Sequence, residues 1–257
     1  MNIMNRVKTA TEIERLRTSG GILAEVLRRL AKELEPGQTT GYLGKMADRE
    51  LAALGGKPTF LGYSPDPGVR PFPSSICISV NDEIVHGIPG DRVIAKGDLV
   101  GLDFGVNFEG MFTDGAITVV AGGKPTHEQS KLLNATREAL ELGVAQVRPG
   151  GRVGDISHAV EVRLRRDKLG VIEELSGHGV GDTVHEDPLI LNYGRAGTGA
   201  RLVAGMSIAI EPMATLGGRD IYVDTDGWTI RTSDGSLGAQ FEHTVVVTDD
   251  GFEIVTI

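Results

Sequence analysis

The chain has 257 residues, enough for one large core or two fused halves, and its 40% hydrophobic and 24% charged residues exclude a disordered protein. Its net charge of -9 argues against a nucleic-acid binder, which would present a basic face. The single cysteine, Cys77, excludes an internal disulfide; residues 1–10 hold no apolar signal core and no run approaches the ~20 apolar residues of a membrane helix, so a cytoplasmic protein is expected.

A first helix is expected from Thr11, where Thr11-x-x-Glu14 matches a capping box. Ile13, Leu16, Leu23, Val26, Leu27, Leu30 and Leu34 then follow at helical spacing until Pro36-Gly37 stops the run. A second helix is expected over about 40–54, buried through Leu43, Met46, Ala47 and Leu51. Strands follow at 75–80, 99–106 and 111–120.

The same order then recurs. Thr126-x-x-Gln129 is a second capping box, opening a helix that should end at Arg148-Pro149-Gly150, and a shorter helix is expected over about 155–168. Its Arg163, Arg165, Arg166 and Lys168 are expected on a solvated face. Glu35-Pro36-Gly37 with Gly41 and Leu43 matches Arg148-Pro149-Gly150 with Gly154 and Ile156. Lys96-Gly97 to Asp103 matches Ala204-Gly205 to Glu211: in both, a glycine precedes an apolar strand and a carboxylate sits six positions after it. One domain over 1–257, internally duplicated as about 8–120 and 126–257, is therefore expected.

An apolar strand that carries a carboxylate is unusual, because a buried unpaired charge is strongly disfavoured. Asp103, in Val100-Gly101-Leu102-Asp103-Phe104, should face something cationic. If Asn107-Phe108-Glu109-Gly110 is a four-residue hairpin loop, Asp103 falls opposite Asp114, ~5 Å away, and two such carboxylates repel unless a proton or cation lies between them. The second half adds Glu211 at the end of Ile208-Ala209-Ile210, Glu242 in a strand expected over 239–247, and His178 between Gly177 and Gly179. Each has a structural alternative, such as a strand-end cap facing water. Together, four carboxylates and one imidazole balance two divalent cations, and oxygen-rich ligation suits Mn, Fe, Co or Zn in metal-assisted hydrolysis.

These residues resemble the type I methionine aminopeptidases. The likeness runs through Ser79-Val80-Asn81, His86-Gly87-Ile88-Pro89, Asp103, Asp114, Gly177 to Gly181, His185-Glu186-Asp187-Pro188, Glu211-Pro212-Met213, Asp226-Gly227-Trp228 and Gln240 to Thr244. The resemblance implies the pita-bread fold, an α/β (α+β) architecture in which two pseudo-twofold-related halves share a curved antiparallel sheet covered by helices. It implies that Asp103 chelates one metal, that His178 and Glu211 hold the other, and that Asp114 and Glu242 bridge them. Glu211 would serve as general base and acid, His185 would steady the tetrahedral intermediate, and His86 would orient the leaving amine.

The substrate would be the initiator methionine of nascent polypeptide N-termini at the ribosome. The enzyme would act as a cytoplasmic monomer with no membrane or specific nucleic-acid partner. By the same resemblance Tyr63, Phe72, Cys77 and Trp228 would line a methionine pocket, and Asn81 would help bind a monovalent cation. Two departures bear on pocket shape: the proline-rich segment 64–73 is longer than usual, and Val184 stands where an aromatic residue is common. The rivals are an Xaa-Pro aminopeptidase or prolidase of the same fold, and a non-catalytic binding module.

Overall fold

Thr9, not Thr11, caps the first helix, α1 (Ala10–Glu33): its hydroxyl accepts from the Glu12 N–H, and the Glu12 carboxylate accepts from the Thr9 N–H. Both threonines fit the capping pattern, and tertiary contacts decide between them. Lys8 N–H donates to Gly205 O, fixing the chain just before Thr9, and Arg6 reinforces Glu12, whereas Glu14 pairs with Arg17. The computed structural model describes residues 5–257; residues 1–4 of the expected domain lie outside them.

After α2 (Thr40–Leu54) come β1 (Lys57–Pro58), β2 (Ile76–Val80), β3 (Glu83–Val85), β4 (Leu99–Phe108) and β5 (Met111–Val120). The second half follows with α3 (His127–Val144), α4 (Val153–Arg166), β6 (Gly170–Val171), β7 (Ser176–Gly179), β8 (Glu186–Leu191) and β9 (Ser207–Ile210). It closes with β10 (Met213–Thr215), β11 (Ile221–Val223), β12 (Ile230–Thr232), β13 (Gly238–Gln240), β14 (Glu242–Val247) and β15 (Phe252–Ile254). Helix α3 stops at Val144, short of the expected Arg148, because the chain tightens into i+3 bonds that turn Val147 into the core. Helix α4 starts at Val153 because the Asp155 carboxylate accepts from the Arg152 N–H.

The junctions before α2 and α4 make matching bonds. Gly37 (φ 93°) donates to Ile94 O, Ile94 to Gln38 O, and Gly41 to Gly90 O. Gly150 (φ 82°) donates to Leu202 O, Leu202 to Gly151 O, and Gly154 to Thr198 O.

The large sheet runs β1-β4-β5-β14-β9-β7-β8, with β2 pairing β4 and β15 pairing β14. Its pairings are antiparallel, and alternation decides what each face carries. Val100, Leu102, Phe104 and Val106 of β4 pack with α1 and α2 in one cluster. Ile208, Ile210, Val245 and Val247 pack with α3 and α4 in another. Asp103 of β4 and Ala209 of β9, which alternate with these, lie on the opposite face.

Two strand expectations need correction. The β4–β5 turn is the two-residue Glu109-Gly110, with φ of 48° and 86° as a type I′ turn requires. Phe108 therefore pairs with Met111, Asp103 opposes Ala116 instead of Asp114, and Asp114 opposes Gly105. Because the shift is by two residues, both aspartates stay on one face; a shift of one would have separated them. The strand expected over 239–247 is broken at Phe241: β13 joins a small sheet with β10 and β6, while β14 enters the large one. The basic cluster on α4 also divides. Arg165 is exposed, but Arg163 is buried and pairs with Glu138 of α3 and with Asp167.

Candidate metal centre and peptide pocket

Register places the acidic side chains in a row. Asp103 of β4 opposes Ala116 of β5, which opposes Glu242 of β14, and Asp114 lies two residues along β5. His243 pairs with Ile210, so Glu242 meets Glu211 just beyond the end of β9, and His178 of β7 opposes Ala209. All five expected ligands thus share the sheet face turned from the helices, with Ala116 and Ala209 leaving room between them. Gly177 is required here, since a Cβ would come within 2.3 Å of Ala209 O.

These residues line a cavity of about 350 Å³. Carboxylate oxygens of Asp103, Asp114 and Glu242 lie within 4.8 Å of one another, as do ligand atoms of His178, Glu211 and Glu242, and of Asp114, His178 and His185. His178 Nε2 stops 4.0 Å from Asp114 Oδ2 and 3.9 Å from Glu242 Oε1, too far for hydrogen bonds. Its Nδ1 is 3.0 Å from Gly179 O and carries the proton in that contact, which leaves an Nε2 lone pair facing the acids.

Burial pushes Asp103 up to about 7. Burial and the neighbouring carboxylates push Asp114, Glu211 and Glu242 well above the usual range. Asp103 Oδ1 and Glu242 Oε1 are buried with no hydrogen-bond partner. Such a nest needs protons or cations, and divalent ions fit its donor set of carboxylates and neutral imidazole.

Neighbours that the sequence reading did not single out hold the acids in place. Gln240 Nε2 donates to Glu211 Oε1 (2.5 Å) and Asp103 Oδ2 (3.3 Å), spanning the two halves. Thr244 Oγ1 accepts from Asp114 N–H and donates to Asp114 O, and Asn192 Nδ2 donates to Glu211 O. Gln240, two residues before Glu242, was visible as a polar residue inside an apolar run.

Two further histidines reach the cavity. His185 Nδ1 lies 2.8 Å from the Tyr63 hydroxyl, and its ring meets that of His178 edge-on at 4.5 Å. His86, half-buried with φ of 59°, sits edge-on to Trp228 at 6.2 Å. Burial lowers His86 and His178 to about 4, and burial with the adjacent imidazoles lowers His185 further, so all three are neutral near pH 7. His185 is exposed and lines the cavity.

The apolar wall joins Phe60, Phe72, Cys77, Val184 and Trp228, with Tyr63, Ile88 and Phe112 packed against them. Phe60, Ile88 and Phe112 come from three separate stretches, and nothing local in the sequence gave them a place in the pocket. Phe72 packs edge-on to Trp228 at 5.2 Å, and Trp228 Nε1 donates to Arg70 O, tying the proline-rich segment to the pocket. Cys77 opposes Asp103 across β2 and β4, and burial raises its thiol well above its usual range. Asn81 lies elsewhere. Its side chain bonds Asp98 and the Leu99 N–H, and its carbonyl accepts from Gly238.

Comparison with known proteins agrees with this geometry. The sequence model of metallopeptidase family M24 matches residues 14–249. A methionine aminopeptidase of Aquifex aeolicus is 44% identical over 248 residues, covering 95% of this chain and 96% of its own. The crystal structure of a methionine aminopeptidase from Thermotoga maritima superposes with a TM-score of 0.94 at 39% identity, covering 98% of this chain and 99% of that one. A prolidase from Pyrococcus furiosus shares the fold at TM-score 0.78 and 23% identity, with 98% of this chain and 65% of that one covered.

Proposed function

The chain belongs to metallopeptidase family M24, and from that premise we propose that it is a methionine aminopeptidase removing the initiator methionine from nascent polypeptides. The observation that carries the reading is an acidic face of five candidate ligands set beside an apolar wall in one cavity. We assign Asp103 to one divalent cation and His178 with Glu211 to a second. Glu242 belongs to both ligand groups, and Asp114 lies against each, so these two would be shared. Divalent cations at such a centre lower the pKa of water and polarise the scissile carbonyl.

The chain's own groups then do the following. Glu211, steadied by Gln240, accepts the proton of the attacking water and returns it to the leaving amine. Neutral His185 accepts the Tyr63 hydroxyl at Nδ1 and donates from Nε2 to the oxygen on which charge develops. His86, held edge-on to Trp228, donates to the substrate backbone and orients it. Phe72, Cys77 and Trp228 receive the methionine side chain, where sulfur–aromatic contacts contribute ~0.3–1.5 kcal/mol each.

Metal identity, ribosome association, a monomeric state and a cytoplasmic location belong to the same proposal, as does a single internally duplicated domain. The ligand chemistry supports a divalent metal, the matching bonds at the two helix junctions support the duplication, and among the described residues no helix is long and apolar enough to cross a membrane. The test is a side-by-side assay of Met-Ala-Ser, Leu-Ala-Ser and Xaa-Pro peptides with Mn(II), Co(II), Fe(II) or Zn(II). Cleavage of the methionine peptide alone is expected; hydrolysis confined to Xaa-Pro peptides would transfer the chain to the prolidase branch.

A further inference from the structure

Lys8 and Glu186 have fully buried side chains that take no part in the chemistry above. Lys8 Nζ lies 3.5 Å from Glu186 Oε2 and 3.3 Å from Asp182 Oδ2. Glu186 Oε1 accepts from the backbone N–H groups of Asp182 (2.5 Å) and Thr183 (2.9 Å), and Oε2 accepts from Asn5 Nδ2 (2.8 Å). One carboxylate therefore gathers the start of the chain and the loop that runs from His178 to His185.

Asn5 makes the grip tighter. Its side chain also donates to Val180 O and Ser207 O, and its N–H donates to Asp187 O. Contact is direct, since a Cβ on Gly181 would come within 2.4 Å of Lys8 Cε. Within the loop the Thr183 hydroxyl donates to His185 O, so a force on residues 182–183 reaches the backbone of His185. A buried charge is costly unless paired and hydrogen-bonded, so Glu186 can occupy this place only while its donors stay in position.

We propose that Asn5 and Lys8 are positioning residues: residues 5–8 form a strap that, through Glu186, holds loop 180–185 so that His185 faces the scissile peptide. The inference rests on the hydrolase reading above for the role of His185, and on the hydrogen bonds alone for the strap. A side chain displaced by ~1 Å from its productive position costs up to about a hundredfold in rate. The loss should therefore fall on kcat and leave KM and metal content nearly unchanged.

The experiment compares full-length wild type, Lys8→Met, Asn5→Ala, His185→Ala and Lys8→Met/His185→Ala, each loaded with Mn(II) and assayed on a methionine tripeptide. Lys8→Met is expected to lower kcat about ten- to a hundredfold with metal retained. Added to His185→Ala it should cost less than about twofold more, because both act through one group. Hydrogen exchange should quicken at the Asp182 and Thr183 amides while α3 stays protected. Asn5→Ala removes no charge and carries the test if Lys8→Met does not fold. Wild-type kcat in both single variants overturns the proposal, as does an equal Lys8→Met penalty with and without His185, or exchange that quickens evenly along the chain. A wild type inactive on every methionine peptide overturns the proposed function instead, and the exchange pattern then decides the strap separately.

Discussion

The metal face and the pocket wall share one cavity but are built differently. Asp103, Asp114, His178 and Glu242 stand on strands, and Glu211 directly follows one, so backbone pairing sets their spacing. The pocket wall takes Cys77 and Phe112 from strands but draws Phe60, Tyr63, Phe72, Val184 and Trp228 from loops, held by side-chain packing and local bonds such as Phe72 to Tyr63 and Trp228 to Arg70. The contrast separates two requirements: ligand atoms must be placed to fractions of an ångström, whereas an apolar pocket tolerates exchanges of shape at modest cost. Residues 64–73 and Val184 meet the cavity through that wall, apart from the acidic side chains.

The largest effect should come from Glu242→Ala, which removes a carboxylate common to two ligand groups. Metal content should fall and kcat/KM should drop by about 10³-fold or more, measured by elemental analysis and peptide assay. Two bound metals with near-normal turnover would break the strand side of the comparison. His86→Ala should sharpen it from the other side. Metal stays bound and the rate falls about a hundredfold, as for loss of one positioned donor; loss of metal there would erase the division between ligand and substrate-orienting groups.

Thermal unfolding across pH probes the acidic face directly. Without metal, Asp103 has a folded pKa near 7 against an ordinary 3.8, so its contribution is present at low pH and lost as pH rises through 7. Cations must displace those protons, so Mn(II) should raise Tm more at pH 8 than at pH 5, and its stabilisation reaches about 2.7 kcal/mol per site at a hundred times Kd. His86 and His178 act in the opposite sense: lowered from 6.5 to about 4, they stay neutral in the fold and cost stability as pH falls through that window. A metal increment that is flat with pH would contradict the proton-filled nest. The smallest effect belongs to the wall. Trp228→Leu should keep the metals and raise KM for methionine peptides by up to about tenfold, the size of lost sulfur–aromatic contact.

Much of the site could be read locally. An apolar strand interrupted by one carboxylate, twice over, was enough to implicate Asp103 and Glu211, and parity alone kept Asp103 and Asp114 on one face although the hairpin was placed two residues out. Gln240 was missed because a polar residue between apolar ones has many local explanations; only its reach to both Asp103 and Glu211 identifies its part. Arg163 looked like its exposed neighbours, and what distinguishes it is Glu138 on another helix.

Composition and periodicity by themselves determined the helices, the residue types available for chemistry and the face on which each strand residue lies, because these depend on steps of two or about four along the chain. The tertiary structure decided the rest: which of two threonines caps α1, where the strand breaks at Phe241, which distant aromatics meet in the pocket, and how Lys8 reaches Glu186. Those choices depend on partners far away in sequence, whose pairing is set by closing the chain upon itself and excluding water from the space between.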